Sequence, residues 1–98
     1  MSSPPAGTAV KVPEQVVHRA FGEQTVLLNL ETGQYHGLNR TGRRIFELLV
    51  ERGTTDGVAA QVAAEYEIDE GRAAADLEEL CASLQERGLL EMDANASA

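Results

Sequence analysis

Three sets of side chains in this sequence could do chemistry: the imidazoles of His18 and His36, the thiol of Cys81, and the carboxylates of Asp76, Glu78 and Glu79. An imidazole titrates near neutrality and can shuttle protons. A thiol becomes a nucleophile when a base or a cation lowers its pKa. Neighbouring carboxylates can divide acid and base roles. The spacing supports none of these. No HxxxH, CxxC or HExxH pattern occurs, so zinc is not expected. Cys81 falls on an apolar stripe with Ala73, Leu77, Leu80 and Leu84, where a free cysteine acts as a small hydrophobe. Glu78 and Glu79, with Asp76 one turn away, read as the solvated flank of that helix. His36 shares a face with Leu38 and reads as a packed histidine. The expectation is a protein with no catalytic residue, no metal and no cofactor: not an enzyme. An enzymatic reading would need a polar pocket around His36.

The elements that must position these residues centre on Val26 to Leu49, VLLNLETGQYHGLNRTGRRIFELL. Val26, Leu28 and Leu30 alternate with Leu27 and Asn29, the period of a half-buried strand. Glu31-Thr32-Gly33 fits a three-residue hairpin loop with Gly33 at the positive φ. That loop sets Leu28 opposite His36 and Val26 opposite Leu38 on one face, with Tyr35, Gly37, Asn29 and Leu27 on the other. Asn39 is placed to cap a helix over 40–52, whose stripe is Ile45, Phe46 and Leu49 and whose stop is Gly53. Before the hairpin, Gln15 to Phe21 reads as a first strand, Gly22-Glu23-Gln24 as a turn, and Pro13 confines anything earlier to an edge or turn. After it, Thr55 caps a second helix with stripe Val58, Val62 and Tyr66. Asp69 caps a third helix that ends at Gly88. GLLEM adds a short last strand. The fold class is α+β: a three-stranded antiparallel sheet followed by three helices, winged helix-turn-helix-like. The expected division is a flexible tail over 1–8, one domain over 9–92 and a second tail over 93–98.

Charge narrows the function. The net charge is −8. Residues 1–44 hold five basic and three acidic groups, whereas residues 45–98 hold three basic and thirteen acidic. Between Asp69 and Arg87, six acids outweigh Arg72 and Arg87. A helix with that balance is repelled by phosphates, so a winged-helix DNA-binding regulator is the rival reading that charge disfavours, and no nucleic-acid partner is expected. One cysteine allows no internal disulfide and suits a reducing compartment. No signal peptide and no membrane span are seen, so the expected location is the cytoplasm.

The remaining lead is a strand edge. The first strand is guarded by Pro13, Lys11 and Arg19, which discourage pairing. QYHGL in the third strand has no proline, no charge and a glycine that lets another backbone come close. Such an edge is either covered by the protein's own helix or kept for a partner strand.

The VLLNLETGQYHGLN stretch, the TGRRIFELL that follows, and the last helix with Asp76, Leu77, Leu80, Leu84 and RGLLE together resemble the PqqD-like family over about Gln15 to Met92. LETGQY followed by LNRTG is most similar to the stand-alone recognition elements of lasso-peptide biosynthesis. The resemblance implies a module that binds the leader of a ribosomally made precursor peptide as a fourth, antiparallel strand beside the third. It implies a strand surface of Gln34, Tyr35, His36, Gly37 and Leu38, and a helix flank for which Asp76, Glu79, Leu80 and Ser83 share one side. It also implies delivery of the leader to a maturation cysteine protease or, alternatively, a PqqD-type chaperone serving a radical SAM enzyme. Where many members carry an acid close after the Asn39 position, this sequence has Arg40, Arg43 and Arg44.

Overall fold

The computed structural model describes residues 8–93. Most of both expected tails, residues 1–7 and 94–98, lie outside the described residues. The described chain runs β1 (Ala9–Lys11), β2 (Val16–Phe21), β3 (Gln24–Asn29), β4 (Tyr35–Leu38), α1 (Arg40–Arg52), α2 (Val58–Tyr66), α3 (Glu70–Glu86) and β5 (Glu91–Asp93). β2, β3 and β4 form an antiparallel meander, and β1 pairs with β5 in a separate two-stranded sheet. The expected α+β class holds. The partner of the terminal strand was not foreseen: Val10 lies opposite Met92, and the Val10 amide also donates to the Gly53 carbonyl at 3.0 Å. Lys11 therefore sits in β1 and does not guard the β2 edge.

Caps place the helices. The Asn39 side chain accepts from the Gly42 amide at 2.8 Å, and α1 ends at Gly53 with φ 68°. Asp69 accepts from the Arg72 amide at 3.3 Å to open α3. α2 corrects the sequence reading. Its N-cap is Gly57, at φ 76°, and the Thr55 side chain makes no capping bond. Thr55 instead offers its backbone carbonyl to the Val58 amide, and the left-handed turn that Gly57 permits starts the helix without a side-chain acceptor.

The hairpin register also departs from expectation, by one residue. Thr25 pairs with Leu38, Val26 with Gly37, Leu27 with His36 and Leu28 with Tyr35. Leu27 and Asn29 face the core, whereas Val26 and Leu28 lie half-buried on the outer face and Leu30 is exposed in the turn. Asn29 is the cause. Its Oδ1 accepts the amides of Glu31 and Thr32 at 2.8 and 3.1 Å, and its Nδ2 donates to the Gly88 carbonyl at 2.9 Å. Those bonds draw Leu30 into a four-residue loop, and with period two a one-residue slip exchanges the faces of β3.

The core joins Leu27 and Leu38 of the sheet to Ile45, Phe46, Leu48 and Leu49 of α1, Val58 and Val62 of α2, and Ala73, Leu77, Cys81 and Leu84 of α3. The arginines of α1 are committed within the molecule. Arg44 grips Glu65 of α2 with Nε and Nη2 at 2.7 and 2.8 Å, Arg43 meets Glu47 at 3.2 Å, and Arg40 lies 5.8 Å from the Tyr66 ring centre. The hydrogen bonds from Arg44, then that from Gln61, hold the Glu65 carboxyl down to about 2.

Candidate functional site

β4 is one of the two outer strands of the meander, with no described strand beyond it. The Asn29 amide donates to the Gln34 carbonyl at 2.8 Å, which fixes the alternation of the ladder. His36 and Leu38 then direct their backbone groups at β3, while Tyr35 and Gly37 direct theirs away from the sheet. Side chains alternate independently: His36 and Leu38 point inward, and Tyr35 points outward, 65 % exposed. The open edge thus presents the amides and carbonyls of Tyr35 and Gly37.

Gly37 is not required by the fold. Its φ is not positive, and a Cβ built there meets nothing within 4 Å. What its missing side chain leaves is room beside the edge.

Beneath the inner face, α3 presents a flank to β4. Arg72, Asp76, Glu79, Leu80 and Ser83 recur at helical spacing and so lie on one side. With His36, Gly37 and Leu38 they line a groove of about 350 Å³, closed at one end by the first turns of α1 through Asn39, Thr41, Gly42 and Ile45. Leu38, Leu80 and Ile45 supply its apolar wall, while Arg72, Asp76 and Glu79 bring charge. Gln34 and Tyr35 lie outside that groove. They line an adjoining hollow with Gly33, His36, Gly37 and Arg87. Arg87 bridges helix and strand, its Nη1 donating to the Tyr35 carbonyl at 3.4 Å.

The sequence reading passed over Arg72 and Arg87. Arg72 could have been found, because it stands one turn before Asp76 on the same flank. Arg87 carries no such signal, since it sits past the end of α3, where helical spacing no longer applies. Thr41, Gly42 and Ile45 also escaped, because the packing of α1 against α3 brings them there.

The groups with potential chemistry do not converge. His36 is half-buried in the groove, and burial, then the charge of Arg87, lowers its pKa. Cys81 lies in the core, where burial, then Glu78, raises its thiol to about 11 and keeps it protonated. His18 shares the face of His36 but stands at the opposite edge of the sheet, on β2, edge-on to Phe46 with ring centres 6.4 Å apart. Among the described residues, no three His, Cys, Asp or Glu side chains gather as a metal site. No described helix is long and apolar enough to cross a membrane. The arrangement offers backbone pairing at an edge and side-chain selection in a groove.

The profile of a family described as coenzyme PQQ synthesis protein D (PqqD) matches residues 24–90. Among solved structures, the chain is similar to TbiB1 in complex with the TbiA(beta) leader peptide, with 34% identity, 83% of this chain and 94% of that chain covered, and a TM-score of 0.74. It is also similar to a lasso peptide synthetase B1 complexed with the leader peptide, with 26% identity, 85% and 98% covered, and a TM-score of 0.76. No curated protein matches the sequence.

Proposed function

This chain belongs to the PqqD family, as a recognition element of the kind that serves ribosomally made peptides, and from that premise we propose that it captures the leader of a precursor peptide as a fourth strand on β4. The observation that carries the reading is the unpaired edge at Tyr35 and Gly37, set beside a groove whose far wall is α3. Backbone pairing along that edge supplies affinity in any sequence, and side chains entering the groove supply choice. Gln34, Tyr35, His36, Gly37 and Leu38 form the strand surface of the site. Asp76, Glu79, Leu80 and Ser83 form the helix surface.

The protein acts without catalysis, by tethering. A captured leader raises the effective concentration of its attached segment at a second protein, which performs the reaction. The two similar structures are both leader-peptide complexes, and one is of a lasso peptide synthetase B1, which favours a maturation cysteine protease as that second protein over a radical SAM enzyme. A cytoplasmic location agrees with one free, buried cysteine. The thirteen acids of the helical half weigh against a nucleic-acid partner.

Hydrogen exchange tests this directly. Synthetic leader peptides of lasso-peptide precursors are added in turn, and amide protection is read residue by residue. Capture on β4 should slow exchange at Tyr35 and Gly37 and leave the outer amides of β2 unchanged. Binding with protection on β2 alone, or binding with no protected edge, would overturn strand addition.

A further inference from the structure

Backbone pairing on β4 does not by itself decide which peptide is accepted, and one contact bears on that choice. The Tyr35 carbonyl points to the open edge, where an added strand must place an amide. In the structure that acceptor is taken by the Arg87 guanidinium, 3.4 Å away. Strand addition and the Arg87 contact compete for one oxygen, so capture must displace the guanidinium. Arg87 takes part in none of the three ion pairs among the described residues. The hollow it shares with Gly33, Gln34, Tyr35, His36 and Gly37 contains no carboxylate. Covering that hollow with a peptide would leave a cation partly desolvated and without an acceptor, which is costly unless the peptide brings one. A carboxylate is the acceptor that suits a guanidinium, through two parallel hydrogen bonds.

Resting on the proposed capture at β4, we propose that Arg87 is a specificity-determining residue: it selects peptides with an aspartate or glutamate flanking the residue paired with Tyr35. Arg87 lies in the hollow beside the start of β4, and the adjoining groove carries Asp76 and Glu79, with Arg72 one turn earlier on α3. A strand antiparallel to β4 runs from the acidic part of the groove toward Arg87. The peptide's acidic residue therefore lies on the C-terminal side of whatever side chain enters beside Asp76 and Glu79. Arg87 thus has two successive partners, the Tyr35 carbonyl and then a side chain of the bound peptide.

The test is selection from a displayed library of random short peptides by the wild-type protein and by Arg87→Glu, Arg87→Gln and Gly37→Pro, each checked by circular dichroism. The wild type should enrich Asp or Glu at one fixed offset. Arg87→Gln should lose that enrichment, and Arg87→Glu should replace it with Lys or Arg. A selected acidic peptide should bind Arg87→Glu about tenfold more weakly, and exchanging its acid for lysine should restore most of the loss. Peptides that depend on Gly37 but show no acid preference tied to residue 87 would overturn the role of Arg87 while leaving capture intact. If the wild type enriches no peptide, or Gly37→Pro retains the same ones, capture on β4 is wrong and the Arg87 proposal falls with it. Arg87→Gln keeps the test open should the charge reversal fail to fold.

Discussion

The two outer strands of the meander, β2 and β4, border hollows of opposite character. Beside β2, Val12, Val16, Phe46 and Val50 give a mainly apolar hollow of about 700 Å³ against α1, lined also by Glu14, Arg43, Glu47 and Glu51. Beside β4, the groove of about 350 Å³ carries Arg72, Asp76 and Glu79. Apolar space alone would point to β2. The backbone points the other way. β2 is preceded by Pro13, whose carbonyl turns back to the Val16 amide at 3.0 Å, and it carries Arg19 at an exposed position. β4 has a glycine with open space beside it and no charged residue. Whether a strand can be added depends on access to amides and carbonyls, and the neighbouring hollow then sets which side chains are welcome.

The sharpest way to break this comparison is to place a proline on each edge. Gly37→Pro removes an amide that points away from β3, so the meander should survive while peptide capture is lost altogether. By the same alternation the Ala20 amide points outward on β2, because the Leu30 amide donates to the Gln15 carbonyl. Ala20→Pro should leave capture within about twofold, the residual expected of a surface change remote from the site. Fluorescence anisotropy with one labelled leader peptide decides it, and equal losses in both variants would erase the distinction between the edges.

Next in size is the register that presents β4. Leu27→Ala should cost about 2–5 kcal/mol in urea unfolding, as a fully buried leucine does, and Leu28→Ala about 1 kcal/mol. The reverse order would restore the register expected from the alternation of Val26 and Leu28. Asn29→Ala should cost about 1–3 kcal/mol, because two turn amides and the Gly88 carbonyl lose their partner. It should also loosen the end of α3 that carries Arg87, so its loss of peptide affinity should exceed that of Leu28→Ala.

The smallest effect concerns acid. His36 titrates below its usual 6.5 because burial, then Arg87, disfavours the imidazolium. The unfolded chain therefore binds the proton first as pH falls. Stability should decline from about pH 6.5 downward through the folded pKa, and His36→Gln should flatten that segment of the pH profile. A profile unchanged by the substitution would place His36 in water.

The sequence was most legible where one residue both names and makes a structure. Asn39, Gly53 and Asp69 fixed the ends of α1 and the start of α3 because each cap is a local hydrogen bond or a local φ. It was least legible where a side chain reached across the fold. Asn29 resembled an ordinary strand residue, yet its contacts with a turn two residues on and with Gly88 set the register. Thr55 was the expected cap of α2, whereas the cap is Gly57, whose left-handed φ carries no side-chain signal. The groove was readable on its strand side, from the uncharged run around Gly37, and on α3 from helical spacing. Arg87 was invisible because its partner, the Tyr35 carbonyl, is a backbone atom distant in sequence.

The pairing of β1 with β5 joins the two ends of the described chain, and this bears on the order of folding. Among the described strands, the other ladders, β2–β3 and β3–β4, link strands adjacent in sequence, so the meander and α1 can assemble while the rest is still being synthesised. The β1–β5 ladder must wait until β5 has emerged from the ribosome. Until then the segment around Gly53 and Thr54 holds β1 by single backbone bonds, at Val10 and at Thr55. The open edge of β4 is thus formed before the molecule is closed.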